Sequence, residues 1–258
     1  MTTKKEESKE LAVQGNYEVS ADLAKEFEGM GLGAGANVDN EDIIVPKIQL
    51  CQQLSEAVKE KLADAGDFIN SVDKNVLAAK GENLDMIVMQ NYKVWRCFEV
   101  KKGKKEYTET INYVGNEGLA IDEEIGGVTI HRDKVLGFYV LLVDEIKQGM
   151  AFPYIVDFTR SSARSGKQLQ TYFAKLRSVG LPSFAKVFTL SSKFITGEHD
   201  YFVKEVSAGR NIETSEAQAV KLWLDNIAAN KDRMKEDDSD LRTNGDDIID
   251  TEVSSNKF

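Results

Sequence analysis

Basic and aromatic residues are interleaved in the stretch NYKVWRCFEVKKGKKEYTETINY, which spans residues 91–113. Aromatic rings stack on nucleic acid bases, and ammonium or guanidinium groups bind phosphates, so this composition is typical of single-strand contacts. The candidate side chains for these contacts are Lys93, Trp95, Arg96, Lys101, Lys102, Lys104, Lys105, Tyr107 and Tyr113. Because side chains alternate along a strand, we expect Lys93 and Trp95 on an exposed face and Tyr92 and Phe98 on the opposite one. The alternative is that the lysines only solvate a hairpin tip and the aromatic rings fill the core.

A second basic group lies between Phe158 and Gly197, where forty residues contain seven lysines and arginines and no carboxylate. Apolar residues recur there at helical spacing, at Leu169, Tyr172, Phe173 and Leu176, which predicts an amphipathic helix. The basic side chains that we expect to bind phosphates here are Arg160, Arg164, Lys167, Lys175 and Arg177. All but the last fall within an arc of roughly 80° opposite the apolar stripe, if the helix includes them all. Like charges at this spacing repel each other, so a helix face with only basic residues predicts a polyanionic partner. The alternative is an ordinary solvated surface.

The C-terminal segment has the opposite charge. From Glu236 to Glu252 eight carboxylates accompany a single arginine, and the net charge of the whole chain is -10. A tethered acidic segment would compete with nucleic acid for a basic groove. The chain ends on Phe258, an apolar ring beside a free carboxylate. We expect this residue to dock into a partner's hydrophobic pocket next to a basic group, although a chance terminal residue is the alternative.

These groups must be positioned by a strand-rich fold. Short segments rich in valine, isoleucine, threonine and aromatic residues follow one another from Asp42, and Gly103 is expected at the tip of a hairpin. We predict a mainly β, β-rich α+β fold: an OB-like Greek-key barrel with an internal helix, a C-terminal helix at about residues 215–229, and disordered termini. The predicted parts are a flexible N-terminal extension with a short helix, residues 1–39, a binding domain, residues 40–230, and an acidic disordered tail, residues 231–258.

Two segments resemble nucleotide-binding motifs of enzymes, but neither motif is complete. The segment SGKQ lacks the upstream glycine and the Ser/Thr of a phosphate-binding loop, and the glycines of GMGLGAGANVDNED follow a helix instead of a strand. Cys51 and Cys97 have no close metal-ligand spacing with a histidine, so both are expected to be buried, with no metal and no cofactor. No signal peptide or membrane segment is recognisable, which predicts a non-enzymatic cytoplasmic protein without membrane contact.

The chain resembles the single-stranded DNA-binding proteins of tailed bacteriophages, which are OB-fold barrels with an acidic tail ending in phenylalanine. The resemblance rests on the strand pattern, on the hairpin around KKGKK, on the basic segment FTRSSARSGKQLQTYFAKLR, and on the acidic tail with Phe258. It implies sequence-independent binding and protection of single-stranded DNA during phage replication, recombination and repair, in the host cytoplasm. It also implies recruitment of replication proteins, such as polymerase or helicase, through the tail. Lys257 departs from this pattern, because it stands beside the terminal ring where phage tails are commonly acidic.

Two other functions fit the same residues. A single-strand annealing protein of recombination would share the basic groove and add oligomeric rings. A phage structural or assembly protein would use the basic helix to meet an acidic protein partner. The sequence leaves a homo-oligomer open.

Overall fold

The structure is a computed structural model, and it describes residues 44–197, 199–230 and 235–236. The predicted N-terminal extension with its short helix, residues 1–39, lies outside the described residues. The same holds for the predicted acidic tail apart from residues 235–236, and therefore for Phe258.

Strands make up most of the regular structure, which confirms the mainly β, α+β class. The strands are β1 Ile44–Val45, β2 Ile48–Leu50, β3 Phe68–Asn70, β4 Val76–Ala78, β5 Asn83–Lys101, β6 Lys104–Asn112, β7 Asp122–Ile125, β8 Val128–Leu142, β9 Pro153–Phe158, β10 Lys186–Ile195, β11 Tyr201–Asn211 and β12 Lys235–Glu236. The α-helices are α1 Glu56–Lys59, α2 Val143–Lys147, α3 Ala163–Ser178 and α4 Thr214–Asn230, and 3-10 turns lie at Arg160–Ser162 and Ser183–Ala185. The predicted internal and C-terminal helices correspond to α3 and α4.

The long antiparallel pair β5–β8 is the centre of the main sheet. Beyond β8 lie β7 at one end of that strand and β9 at the other, while β6 and β10 share the other edge of β5. The spatial order of four of these strands is β10-β5-β8-β9. The last of the four along the chain, β10, thus lies beside the first, β5, as in a Greek key. A register shift between Val88 and Gln90 marks an irregularity in the β5–β8 pairing, and such bulges bend a strand and increase its twist.

The OB-like barrel that we predicted is not closed. Within the described part of the chain, the edge strands β9 and β11 do not pair with each other. The segment that contains β1 and β2 contacts both edges instead: the amide of Ile155 donates to the carbonyl of Pro46 at 2.9 Å, and the side chain of Gln52 makes two hydrogen bonds with the backbone of Phe202. We call this arrangement the seam. The seam supplies hydrogen-bond partners to backbone groups of the edge strands β9 and β11. In a closed barrel these groups would be paired by a neighbouring strand.

Apolar side chains are buried on both faces of the main sheet. On one face, Phe138, Phe158 and Phe188 pack with Leu169 of α3. On the other, a smaller cluster of sheet residues packs against α4 through Val220. Burial on both faces explains why segments such as VLGFYVLLV are apolar almost without interruption instead of alternating.

The hairpin predicted around Gly103 is confirmed. Lys101 pairs with Lys104 across a two-residue turn, and the φ angles of Lys102 and Gly103 are 51° and 80°. Two consecutive positive φ angles are typical of a type I′ turn, whose twist matches that of the flanking strands. Glycine at the second position avoids the steric cost that a side chain pays there.

Candidate nucleic-acid interface

Helix α3 presents a surface of a single charge sign. Its first turn contains no acidic residue, and Arg164, Lys167 and Lys175 are exposed. Among the described residues, no carboxylate forms a salt bridge with any of these three. We call them the α3 basic face. Arg177 is also exposed but lies outside the arc, near the C-terminal end of the helix.

The opposite side of α3 holds the helix on the sheet. Leu169 and Leu176 are buried, and Tyr172 and Phe173 are half-buried against Phe188. Gly166 permits the close approach, because a Cβ atom there would lie 2.7 Å from the Cβ of Phe158 and 3.1 Å from a methyl carbon of Leu136. The apolar stripe therefore fixes which residues of the helix face outward.

A group of two lysines and two aromatic rings lies on the β5–β8 pair. The Nζ atoms of Lys93 and Lys134 lie 4.6 Å and 3.9 Å from the centre of the Tyr113 ring. The rings of Tyr113 and Trp95 are 5.4 Å apart, centre to centre. We call these four residues the Tyr113 cluster. Cation–π contacts of this kind keep ammonium groups beside an aromatic surface, which is the combination that binds single strands.

The Tyr113 cluster and α3 occupy the same face of the sheet. Lys93 lies directly opposite Leu136 in the β5–β8 pairing, and Leu136 packs against Gly166 of α3. Directly opposed side chains in an antiparallel pair have their Cβ atoms about 5 Å apart. The cluster is therefore next to the N-terminal half of the helix, from which Arg164 and Lys167 project.

Trp95 does not lie on an open surface, contrary to our expectation. It shares a face with Lys93, as predicted, but only 5% of its surface is exposed. Its Nε1 donates to the carbonyl of Asn116 at 3.0 Å, because the chain after β6 folds back over it. Tyr113, which is half-buried, is the more accessible of the two rings of this cluster.

Tyr107 is on the other face of the hairpin. Its ring packs against Phe98 with centres 6.1 Å apart, whereas Tyr113 packs against Trp95, three positions away on β5. Because strand side chains alternate, positions 95 and 98 face opposite ways. The two tyrosines proposed for stacking thus cannot form one platform.

Two predicted phosphate ligands are buried in the described structure. Arg96 is 6% exposed and Lys105 is 8% exposed. Arg96 donates through Nη2 to the carboxylate of Asp157, which also accepts a hydrogen bond from the hydroxyl of Tyr92 at 3.1 Å. Alternation places Arg96 on the face opposite to Trp95, so it does not extend the Tyr113 cluster.

Arg160 is not part of α3 and is engaged with a carboxylate. It lies in the 3-10 turn before the helix, with a φ angle of 43°. Its guanidinium contacts Asp133 through Nε at 2.9 Å and Nη2 at 2.7 Å. Burial alone would raise the pKa of Asp133, but hydrogen bonds from His131 and Arg160 lower it to about 2. This ion pair anchors the start of the helix.

The tip of the β5–β6 hairpin is basic but partly neutralised. Lys101 contacts Glu99 at 2.9 Å and Glu106 at 3.4 Å, and hydrogen bonding to Glu99 raises the pKa of the lysine. Lys102 and Lys104 are exposed. The hairpin tip is thus a weaker candidate for phosphate binding than the α3 basic face.

Sequence reasoning missed Lys134, because it lies in a different strand from the other members of the cluster. Only the β5–β8 register, which pairs Lys134 with Trp95, brings them together. It also missed Lys47, which is 3% exposed. A charged residue within the apolar run IIVPKIQL was the available signal.

The two cysteines are buried, as predicted. Burial raises the pKa of the Cys51 thiol to about 11 and also raises that of Cys97, so neither is a thiolate at neutral pH. Within the described residues, no group of three metal-ligating side chains is assembled. In that same part of the chain, no helix has the length and apolar character needed to cross a membrane.

Comparison with known proteins yields a family but no individual relative. No curated protein and no solved structure matches the chain. The Pam3 phage gp34-like protein family matches residues 13–216, which is well over half of the 258 residues. This is a family of phage proteins, in agreement with the bacteriophage origin expected from the sequence. The chain therefore belongs to the Pam3 phage gp34-like protein family.

Proposed function

We propose that this phage protein binds single-stranded DNA without sequence preference, along the α3 basic face and the adjoining Tyr113 cluster. The observation that carries the proposal is the exposure of Arg164, Lys167 and Lys175 on one side of α3 with no carboxylate partner among the described residues. Clustered charges of one sign repel one another, and a polyanion relieves that repulsion. A strand backbone supplies negative charge at regular intervals along the helix.

The Tyr113 cluster supplies the second element of a single-strand site. Its lysines contact phosphates, and the accessible ring of Tyr113 stacks on a base. Lysine and arginine contacts to phosphates position a strand but carry no sequence information. The proposed site accordingly binds by charge and stacking. It favours a single strand over a duplex, because the bases of a single strand are unpaired and can stack on the ring.

The acidic segment that follows β12 is proposed to compete for this positive surface and to recruit replication proteins, such as polymerase or helicase, through Phe258. Backbone pairing supports a location near β1, since Glu236 pairs with Val45 of that strand in parallel register. The eight carboxylates from residue 236 onward thus begin beside the folded body. In this proposal the protein is non-enzymatic and acts in the host cytoplasm, protecting strands during replication, recombination or repair.

The test is a charge reversal on the α3 basic face. The variant Arg164→Glu with Lys167→Glu is compared with Lys61→Glu with Lys221→Glu, a matched reversal at exposed positions outside the site. Binding of a fluorescent oligothymidine is measured by anisotropy between 50 and 200 mM salt. Losing two phosphate contacts reduces the slope of log affinity against log salt by about 1.4 for a single strand. The control reversal leaves the slope nearly unchanged.

Equal affinity of the two reversals would overturn the proposal, provided that thermal unfolding shows both variants folded. An acidic protein partner for the α3 basic face, as in a phage assembly protein, would then be the better explanation. A single-strand annealing protein would pass the same binding test. It is distinguished by faster annealing of complementary oligonucleotides and by ring-sized particles in light scattering.

A further inference from the structure

A second group of aromatic rings with a lysine lies at the end of the β10–β11 hairpin. Phe194 and Phe202 are directly opposed in the antiparallel pairing of these strands, and their ring centres are 5.0 Å apart. The Nζ atom of Lys80 lies 5.0 Å from the centre of the Phe202 ring and 5.8 Å from that of Phe194. We call these three residues the Phe194 cluster. Like the Tyr113 cluster, it combines ammonium and aromatic groups, but it comes from other strands.

The inner ring of this cluster is held in place by the fold. Phe202 is buried, and it packs so closely against Gly66 that a Cβ atom there would lie 2.8 Å from a ring carbon of Phe202. The amide of Phe202 donates to the side chain of Gln52 at 2.9 Å, and its carbonyl accepts a hydrogen bond from the same side chain. Phe202 is therefore a fixed support for the ring of Phe194, and a fixed ring loses little conformational freedom when a ligand binds.

The outer ring of the cluster is open to solvent. Phe194 is 44% exposed, which is more than any other aromatic residue in the part of the chain that the structure describes. A phenylalanine ring has no polar atom, so covering it with a flat apolar ligand is favourable. A nucleic acid base has such a face, and bases stack on aromatic side chains.

Lys80 adds a positive charge beside the exposed ring. Its backbone amide donates to the carboxylate of the buried Asp67 at 2.7 Å, which fixes the turn that carries it. Lys80 is exposed, and within the described residues its ammonium group forms no salt bridge. A base that stacks on Phe194 brings a phosphate with it, and an ammonium group near the ring can bind that phosphate.

The Phe194 cluster adjoins the start of α3. Phe202 lies two positions before Lys204 on β11, and the amide of Lys204 donates at 3.1 Å to the Oγ of Ser162, the residue before α3. Two positions along a strand correspond to about 7 Å. The cluster is therefore close to the N-terminal half of α3, which the Tyr113 cluster also adjoins.

We propose that Phe194 is a second stacking site for a base of single-stranded DNA, and that Lys80 binds a phosphate of the same strand. This inference rests on the proposed function and extends it. The strand runs from the Tyr113 cluster past the start of α3 to the end of the β10–β11 hairpin. Two separate stacking sites hold a strand without reading its sequence, because every base has an aromatic face.

The first test is the affinity of the full chain for an oligothymidine of about 16 nucleotides, the upper end of the usual site size of an OB fold. Phe194→Leu keeps an apolar side chain without the ring, and it is expected to weaken binding about tenfold, as the loss of one stacked base does. Lys80→Gln is expected to reduce the slope of log affinity against log salt by about 0.7. Leu222→Ala and Lys221→Gln, both at exposed positions of α4, are the matched controls.

The second test places a fluorescent reporter at the proposed site and does not require loss of the ring. In Phe194→Trp, saturating oligothymidine is expected to quench the emission by more than it does in the wild type, because a base stacks on the new indole. Leu222→Trp, at a position of α4 that is 62% exposed, is expected to show no added quenching.

The two tests separate failure of this inference from failure of the proposed function. Unchanged affinity of Phe194→Leu, or equal quenching of Phe194→Trp and Leu222→Trp, would overturn the second stacking site alone, provided that reversal of Arg164 and Lys167 still weakens binding. The exposed ring would then be better explained as a contact for another protein. Absence of oligothymidine binding by the wild-type chain would overturn the proposed function and this inference together.

Discussion

The ammonium group of Lys134 lies 3.9 Å from the centre of the Tyr113 ring and donates a hydrogen bond to its hydroxyl at 2.8 Å. The two residues are 21 positions apart and come from the loop after β6 and from β8. Their contact keeps a positive charge beside Tyr113. Of the two rings in the Tyr113 cluster, Trp95 is buried and Tyr113 is only half-buried. This makes Tyr113 the residue on which the stacking part of the proposed function depends.

Replacing this ring is the first prediction. Tyr113→Leu is expected to weaken binding of an oligothymidine by about 1–3 kcal/mol, the usual worth of one base stacked on an aromatic residue. Tyr113→Phe retains the ring and loses only the hydroxyl contact, so its affinity stays close to that of the wild type. Anisotropy titration measures both variants. Equal losses in Tyr113→Leu and Tyr113→Phe would exclude stacking as the cause.

Buried and exposed cations are expected to respond differently to mutation. Arg96→Ala leaves the buried Asp157 carboxylate without its guanidinium, and breaking such a pair lowers the free energy of unfolding by about 3–5 kcal/mol. Lys102→Ala, at an exposed hairpin position, is expected to change stability by less than about 1 kcal/mol. Urea denaturation provides both values. A stable Arg96→Ala protein would show that the ion pair does not support the fold.

Stability is expected to depend on pH through His131. Hydrogen bonds to Asp133 and Asp122 raise the pKa of this histidine. Two cations also face it: the charge of Lys105 lowers the pKa of the histidine, and Arg160 binds Asp133. A raised pKa means that the protonated form stabilises the folded state below about pH 6.5, and that this contribution is lost as the pH rises through the folded-state pKa.

The variant His131→Gln isolates this contribution. Its thermal midpoint is expected to fall further below that of the wild type at pH 5.5 than at pH 8.5. Thermal unfolding followed by circular dichroism at both values is the measurement. A larger deficit at pH 8.5 would reverse the sign and contradict the assignment.

Gly137 is expected to tolerate no side chain. It lies directly opposite Tyr92 in the β5–β8 pairing, and a Cβ atom there would be 2.0 Å from the ring carbon Cζ of Tyr92. Gly137→Ala is predicted to lower the free energy of unfolding by about 2 kcal/mol or more, as overpacking does. Gly118→Ala, where no atom lies within 4 Å, is the control. In a Tyr92→Ala background the cost of Gly137→Ala falls, because the clashing ring is gone.

Removal of the acidic segment tests its proposed competition with DNA. Deleting residues 237–258 keeps both residues of β12 and removes seven of the eight carboxylates. The truncated chain is expected to bind oligothymidine more tightly at 50 mM salt, with a smaller gain at 200 mM because screening weakens the competition. Weaker or unchanged binding at low salt would sink the competition hypothesis and leave the folded site untouched.

Local patterns in the sequence were sufficient for several features. The apolar stripe of Leu169 and Leu176 repeats at helical spacing, which predicts α3 and the outward direction of Arg164 and Lys167. The turn at Gly103 follows from its neighbours, because a two-residue hairpin needs positive φ angles. Both features depend on interactions between residues close along the chain, so the sequence itself determines them.

Tertiary structure decided which charges and rings are accessible. Trp95 is covered by the chain around Asn116, Arg96 is paired with Asp157 some sixty residues away, and the Tyr113 cluster needs Lys134 from another strand. The seam likewise depends on residues 44–52 meeting strands more than a hundred positions distant. Period-two alternation shows which residues share a face, but it does not show what covers that face. Strand register and the packing of distant segments determine that cover, and no local pattern encodes them.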